Sequence, residues 1–156
     1  MFRILFVCTG NTCRSPMAQA LLLQKIQSSS NGEGGDFQVW SAGIFARRDL
    51  PASPEAIAAM REEGLDLSCH RALPISDNLV GEAELILTMT SQQRDYLVQK
   101  YPDKSACIYT LNEFAENNSG EITDPYGLGQ EAYRQTLAQM KLIVDRLFNR
   151  IRIKMG

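Results

Sequence analysis

Apolar and polar positions along this chain switch between strand-like runs and helical spacing. Phe2-Arg3-Ile4-Leu5-Phe6-Val7 is a compact apolar run of strand length. It passes directly into a tight loop, Cys8-Thr9-Gly10-Asn11-Thr12-Cys13-Arg14-Ser15, and then into a helix opened by Pro16. Met17 to Ile26 continues that helix, with Leu21, Leu22 and Leu23 placed to cover a sheet, and the Ser/Asn/Gly cluster from Ser28 through Gly35 reads as a loop. Phe37 to Trp40 is a short strand, and the small residues Ser41-Ala42-Gly43 after it let backbone approach the first loop. Pro51 and Pro54 bracket the entry to a helix over Glu55 to Glu63, with Gly64 at its C-cap. Leu65 to Leu73 is irregular. Glu84 to Met89 is a central strand around Leu85-Ile86-Leu87, Ser91 is the N-cap of a helix through Tyr101, and Pro102 ends it. Cys107-Ile108-Tyr109 is the next strand, Leu111 to Ala115 a short helical turn, and Asn117 to Gly129 a polar loop. From Gln130 to Ile153 the positions Tyr133, Leu137, Met140, Ile143, Val144 and Leu147 recur at helical spacing and predict a long amphipathic helix.

Strands alternating with helices imply parallel pairing. The expected architecture is α/β, a three-layer sandwich in which a four-stranded parallel sheet is flanked by helices on both faces. Ligands of such sheets sit beyond the carboxyl ends of the strands, where the Cys8 loop lies. The loop bearing Asp124 joins it there if it belongs to the same edge. A chain of 156 residues without repeat or linker reads as one domain, 1–156, with a single core. No apolar run is long enough to span a bilayer, and the first strand is too short and too directly joined to the loop to be a signal peptide. A cytoplasmic protein without membrane contact is therefore expected, as a monomer or weak dimer. Four cysteines without a scaffold pattern agree with a reducing compartment. The net charge of -2, with no basic block beyond Arg146 to Lys154 on the last helix, argues against a nucleic-acid partner.

The strand, loop and helix start from Phe2 onward carry the candidate chemistry. Such a loop leaves backbone N–H groups unpaired at the positive end of a helix dipole, where an oxyanion such as phosphate binds. Gly10 is expected to supply the backbone freedom of the curl. Cys8 at the base of the cradle is a candidate nucleophile, its thiolate stabilised by N–H donors and guanidinium. Arg14 on the rim can hold two phosphoryl oxygens through its planar fork, and lysine would not do so equally well. The alternative readings are a packed small side chain at Cys8 or half of a metal or redox site; zinc would need two more ligands, and Cys69, Cys107 and the lone His70 are scattered through the chain. Breakdown of a cysteinyl phosphate needs a proton delivered to the leaving atom and another taken from water, and one carboxyl can do both. Asp124 is the candidate, in a loop stiffened by Pro125 and beside Tyr126, whose ring is placed to wall the pocket. Glu113, Glu116 and Glu121 compete with it, and Asp124-Pro125-Tyr126-Gly127 also has the composition of a simple turn.

Val7-Cys8-Thr9-Gly10-Asn11-Thr12-Cys13-Arg14-Ser15-Pro16, paired with a distant Asp124-Pro125-Tyr126, resembles the low-molecular-weight protein tyrosine phosphatase family over essentially the whole chain. The resemblance implies a metal-free, cofactor-free hydrolase of phosphorylated proteins: Cys8 as nucleophile, Arg14 as clamp, Asp124 as acid then base, and Thr9 to Ser15 as the phosphate-binding loop. It further implies that Ser15 gives its hydroxyl proton to the Cys8 thiolate, that Asn11 is left-handed and supported by Ser41 and His70, and that Cys13 traps oxidised Cys8 as a reversible disulfide.

Two features bear on substrate. Thr12 stands where the tyrosine enzymes commonly carry an aliphatic residue, and it is shared with the bacterial protein-arginine phosphatase branch, as are Ser41 to Ala46 and Met89-Thr90. Tyr126 is more typical of the tyrosine enzymes, although Gly127 replaces a second tyrosine often found there. The reading leans to phosphoarginine, with phosphotyrosine as the alternative. Arsenate reductases share the fold and loop but need relay cysteines, and Cys69 and Cys107 lie on separate elements. A binding module without turnover would lack the nucleophile, arginine or acid, and all three are here.

Overall fold

A computed structural model describes residues 1–29 and 37–155, so most of the expected Ser/Asn/Gly loop, residues 30–35, lies outside the described residues. The described elements are strands β1 (Phe2–Cys8), β2 (Phe37–Gly43), β3 (Leu85–Thr88) and β4 (Ile108–Thr110), with helices α1 (Arg14–Ser28), α2 (Pro54–Glu62), α3 (Asp77–Glu82), α4 (Ser91–Lys100), α5 (Leu111–Glu116) and α6 (Gln130–Met155). The four strands form one parallel sheet in the order β2-β1-β3-β4.

The apolar run of β1 makes it central: Ile4 to Cys8 are all buried, because helices cover both faces of a parallel sheet. Alternation along the strand divides the core. Ile4, Phe6 and Cys8 face a large cluster with Met17 and Leu22 of α1 and the apolar stripe of α6. Leu5 and Val7 face a smaller one with Val80 of α3 and Leu97 of α4. Every α6 position singled out by periodicity is buried, and Phe148 and Ile151 extend the stripe. Register brings Cys8 opposite Gly43, Val7 opposite Thr88, and Thr88 opposite Thr110, so the loops after all four strands emerge at one edge. The chain leaves β1 first for β2 on one side and later for β3 on the other, which opens a crevice at the carboxyl ends of β1 and β3.

Several boundaries differ from the sequence reading. Helix α1 starts at Arg14, two residues before Pro16, which sits at its third position where a missing N–H costs no helical bond. Strand β2 runs on to Gly43. Thr90, rather than Ser91, is the N-cap of α4, because only Thr90 has a glutamine three residues on to close a capping box. Cys107 ends a 3-10 turn over Pro102–Cys107, and the strand starts at Ile108. Helix α3, capped by Ser76, has one buried residue and so too little periodicity to be anticipated.

Candidate active site

The loop after β1 is pulled outward by its carbonyls. Ile44 N–H donates to Cys8 O (3.0 Å), Phe45 N–H to Thr9 O (2.9 Å) and Ser53 N–H to Thr12 O (2.9 Å), while His70 Nε2–H donates to Asn11 O (2.7 Å). With the carbonyls engaged, the N–H groups of Gly10, Asn11, Thr12, Cys13 and Ser15 have no acceptor among the described residues. Helix α1 adds to this: Cys13 at its N-cap makes no side-chain cap, and the first turn holds no acidic residue. The result is a nest of donors at a positive helix end, suited to an anion.

The left-handed position falls on Asn11 (φ 57°), and Gly10 stays outside that region. A β-carbon on Gly10 would meet only Thr12 Oγ1, at an ordinary 3.6 Å. The expected role of Gly10 therefore belongs to Asn11, a residue type that tolerates αL. Gly43 is the glycine that geometry demands: a β-carbon there would lie 2.7 Å from Thr9 O and 2.9 Å from Asn11 N. The small residues ending β2 thus allow the backbone approach that their size predicts.

Asn11 also sets the direction of the hydrogen bonds behind Cys8. Leu73 N–H, which can only donate, reaches Asn11 Oδ1 (2.9 Å), so the amide nitrogen donates to Ser15 Oγ (2.8 Å) and Ser41 Oγ (3.0 Å). Accepting from Asn11 leaves the Ser15 hydroxyl its own proton to donate toward Cys8 Sγ, 2.9 Å away, when the sulfur is a thiolate. Ser41 passes its own to Gln19 Oε1 (2.8 Å), whose amide ends on Val39 O (2.9 Å). His70 is part-buried; burial, together with the charge of Arg71, lowers its pKa against the opposing bond to Asn11 O, so the ring is a neutral donor at Nε2.

Arg14 is buried, its Nη1 donating to Ile122 O (3.1 Å) and its Nη2 lying 3.6 Å from Asp124 Oδ2. Its Nε is buried without a partner among the described residues. The loop carrying Asp124 reaches this edge because Ile122 N–H donates to Met89 O (3.0 Å) and because Gln139 and Thr136 of α6 hold Glu121 O and Thr123 O. Asp124 and Arg14 line one cavity of about 670 Å³ over the crevice, with Thr9, Gln93 and Glu121. Among the rival carboxylates, Glu113 caps α5 and meets Arg94, and Glu116 meets Arg146. Glu121 accepts from Ser91 N–H and Ser91 Oγ (2.8 Å each), and these bonds, the backbone one first, lower its pKa.

The family model described as low molecular weight phosphotyrosine protein phosphatase matches residues 3–155. The chain belongs to this family. It is 37% identical to a protein-arginine-phosphatase of Geobacillus stearothermophilus, covering 96% of each chain. It is 40% identical to a probable low molecular weight protein-tyrosine-phosphatase, EpsP, of Ralstonia solanacearum, covering 96% of this chain and 95% of the relative. A structure of YwlE, an arginine phosphatase, in a cysteine-to-serine variant with a phosphorylated active-site serine, superposes with a TM-score of 0.89 at 33% identity, covering 97% of this chain and 96% of that one.

In this phosphatase the aromatic walls differ from the expected one. Tyr126 is 72% exposed and is absent from the cavity lining; it bears on the site through its N–H, which donates to Asp124 Oδ1 (3.1 Å). The walls are Phe45 and Tyr96, ring centroids 5.8 Å apart. Cys13 is a buried free thiol, pushed up to about 12 by burial first and by neighbouring Cys8 second, and so a neutral one at ordinary pH. Cys69 is exposed and Cys107 half-buried, both free. Gln93 and Gln19 escaped the sequence reading. For Gln93 the spacing Thr90-x-x-Gln93 was an available signal, whereas nothing local marks Gln19.

Proposed function

We propose that this phosphatase hydrolyses phosphorylated proteins through a cysteinyl phosphate on Cys8, and that phosphoarginine is its preferred substrate residue. The observation that supports the mechanism is the hydrogen-bond chain behind Cys8: Leu73 N–H orients Asn11, Asn11 donates to Ser15, and the Ser15 hydroxyl lies 2.9 Å from the sulfur with its own proton left to give to a thiolate. Such a donor stabilises a thiolate. The thiolate attacks phosphorus from the floor of the nest; the bond from phosphorus to the leaving nitrogen or oxygen breaks, and that atom takes the electron pair and a proton from Asp124. Water then attacks the thiophosphate, loses a proton to the Asp124 carboxylate, and phosphate leaves as the sulfur–phosphorus bond returns its pair to Cys8. Arg14 supplies N–H donors to the equatorial oxygens, and its unpartnered Nε is the natural site for one of them. Asp124 fits the acid better than Glu121 because its carboxylate lies 3.6 Å from Arg14, whereas Glu121 Oε1 takes two bonds from Ser91 that lower its pKa. Cys13, as a neutral thiol close to Cys8, suits the reserve partner for an oxidised nucleophile.

Two things support phosphoarginine. Thr12 and the relative in Geobacillus point to the arginine branch. The cavity also carries two carboxylates, Asp124 and Glu121, where a departing guanidine becomes a cation, while a departing phenol is neutral. Phosphotyrosine is the second reading, favoured by the 40% identity to the Ralstonia tyrosine phosphatase. The test is kcat/KM on matched phosphoarginine and phosphotyrosine peptides, with Cys8→Ser as the blank. A preference of tenfold or more for phosphoarginine is expected, and a preference for phosphotyrosine refutes the assignment. Turnover retained in Cys8→Ser refutes the covalent route. Asp124→Asn should slow a substrate with a poor leaving group by roughly a hundredfold or more and an activated aryl phosphate far less; equal losses refute the acid role.

A further inference from the structure

We propose that Gln93 fixes the proton of the Thr9 hydroxyl, so that Thr9 donates a hydrogen bond to a phosphoryl oxygen of the bound substrate. Gln93 is the third residue of α4 and is 6% exposed. Its Oε1 receives two backbone N–H groups, from Met89 (3.0 Å) and Thr90 (3.1 Å). Backbone N–H only donates, so the atom facing these two groups is oxygen and the amide has one orientation. Its nitrogen is left to Thr9 Oγ1, at 3.1 Å, as donor. A hydroxyl that accepts from an amide keeps its own proton to give, and Thr9 Oγ1 has no other hydrogen-bond partner among the described residues. The backbone of Thr9 is held by Phe45 N–H on its carbonyl (2.9 Å), and the side chain lines the cavity beside Arg14. The free proton is therefore offered to what enters the cavity.

The chemistry of the substrate names the acceptor. On phosphoarginine the guanidino nitrogens present N–H donors, and the phosphoryl oxygens are the anionic acceptors. Phosphotyrosine presents the same oxygens. The contact thus rests on the phosphatase reading but not on which phosphoresidue is preferred. Thr9 touches substrate, and Gln93 is a positioning residue acting through it.

The experiment measures kcat/KM on both peptides for Thr9→Val, Thr9→Ser, Gln93→Glu and the Thr9→Val/Gln93→Glu double variant. A hydrogen bond to a charged oxygen predicts a loss of roughly ten- to a hundredfold for Thr9→Val on either peptide, recovered to within about threefold in Thr9→Ser. Glutamate can still close the capping box, but its second oxygen accepts from Thr9 and turns the proton away from the cavity. Its added charge acts in both backgrounds, so the excess cost of Gln93→Glu in the presence of Thr9 over that in Thr9→Val reads the direction of the proton. That excess is expected to be about tenfold. The proposal is overturned if Thr9→Val is inert, if its loss is confined to one peptide, or if the cycle is additive. Should Gln93→Glu not fold, the Thr9 pair decides alone. Failure of the underlying phosphatase reading looks different, as no phosphate release above the Cys8→Ser blank from either peptide in the parent protein.

Discussion

Replacing Asn11 separates backbone strain from hydrogen bonding in a way few positions allow. Asn11 is fully buried at φ 57°, its side chain accepting from Leu73 N–H and donating to Ser15 and Ser41. Asn11→Ala removes three bonds at about 1 kcal/mol each, a loss near 3 kcal/mol, and keeps the β-carbon that asparagine already holds in the left-handed region, where it costs about 1–2 kcal/mol relative to glycine. Asn11→Gly removes the same bonds without the left-handed penalty, but loses about 0.5–1 kcal/mol more chain entropy on folding. Both variants are therefore strongly destabilised against a total stability of about 5–15 kcal/mol, and glycine is the milder by some tenths of a kcal/mol to about 1 kcal/mol, the reverse of the usual order. Urea unfolding followed by the fluorescence of the single tryptophan, Trp40, in buffer without phosphate measures both. Alanine as stable as glycine would refute the strain argument. A loss below about 1 kcal/mol in both would refute the hydrogen-bond argument.

Gly43→Ala puts a β-carbon against backbone on two sides, Thr9 O and Asn11 N, where no side chain can yield. It should cost about 1–3 kcal/mol and most of the activity, and thermal unfolding with phosphate release checks both; a variant as stable and active as the parent would show that the loop gives way freely. His70 predicts a pH dependence. Its folded pKa lies below the ordinary 6.5, so as pH falls beneath 6.5 the unfolded chain binds the proton first and stability is lost. His70→Gln lacks that term, so the stability difference between the parent and His70→Gln should shrink from pH 8 to pH 5, and a difference that grows would mean that the imidazolium is the form the loop prefers.

The fold was legible because its signals are long or exclusive: a run of apolar residues buried on both faces at β1, and a stripe of about five turns, Tyr133 to Ile151, along α6 whose period admits no other element. What escaped was short or three-dimensional. Helix α3 buries one residue and leaves no period, and the strand start at Ile108 depends on a 3-10 turn whose bonds close only after Pro102. At the site, residue types that form bonds to anions were visible in the loop itself, but the residues that orient them come from elsewhere. Gln93 is 84 positions from Thr9 and Leu73 is 62 from Asn11. Tyr126 is not among the cavity walls for the same reason: adjacency to Asp124 says nothing about where a ring projects, and Phe45 and Tyr96 converge from the loop after β2 and from helix α4.

Those distant residues share one device. A hydroxyl beside an anion is useful only if its proton points the right way, and a free hydroxyl rotates. At Ser15 and at Thr9 rotation is limited by an amide side chain whose own orientation is imposed by backbone N–H groups, Leu73 in one case and Met89 with Thr90 in the other. Backbone polarity cannot reverse, so direction propagates outward from it, to sulfur at the floor of the nest and to the cavity at its mouth. Donors held this way need no reorientation when charge develops, which is the condition under which a hydrogen bond contributes most to a transition state. Asparagine and glutamine suit these two positions because each needs an acceptor toward backbone and a donor toward a hydroxyl. A carboxylate offers only acceptors and would draw both protons away from the reacting groups.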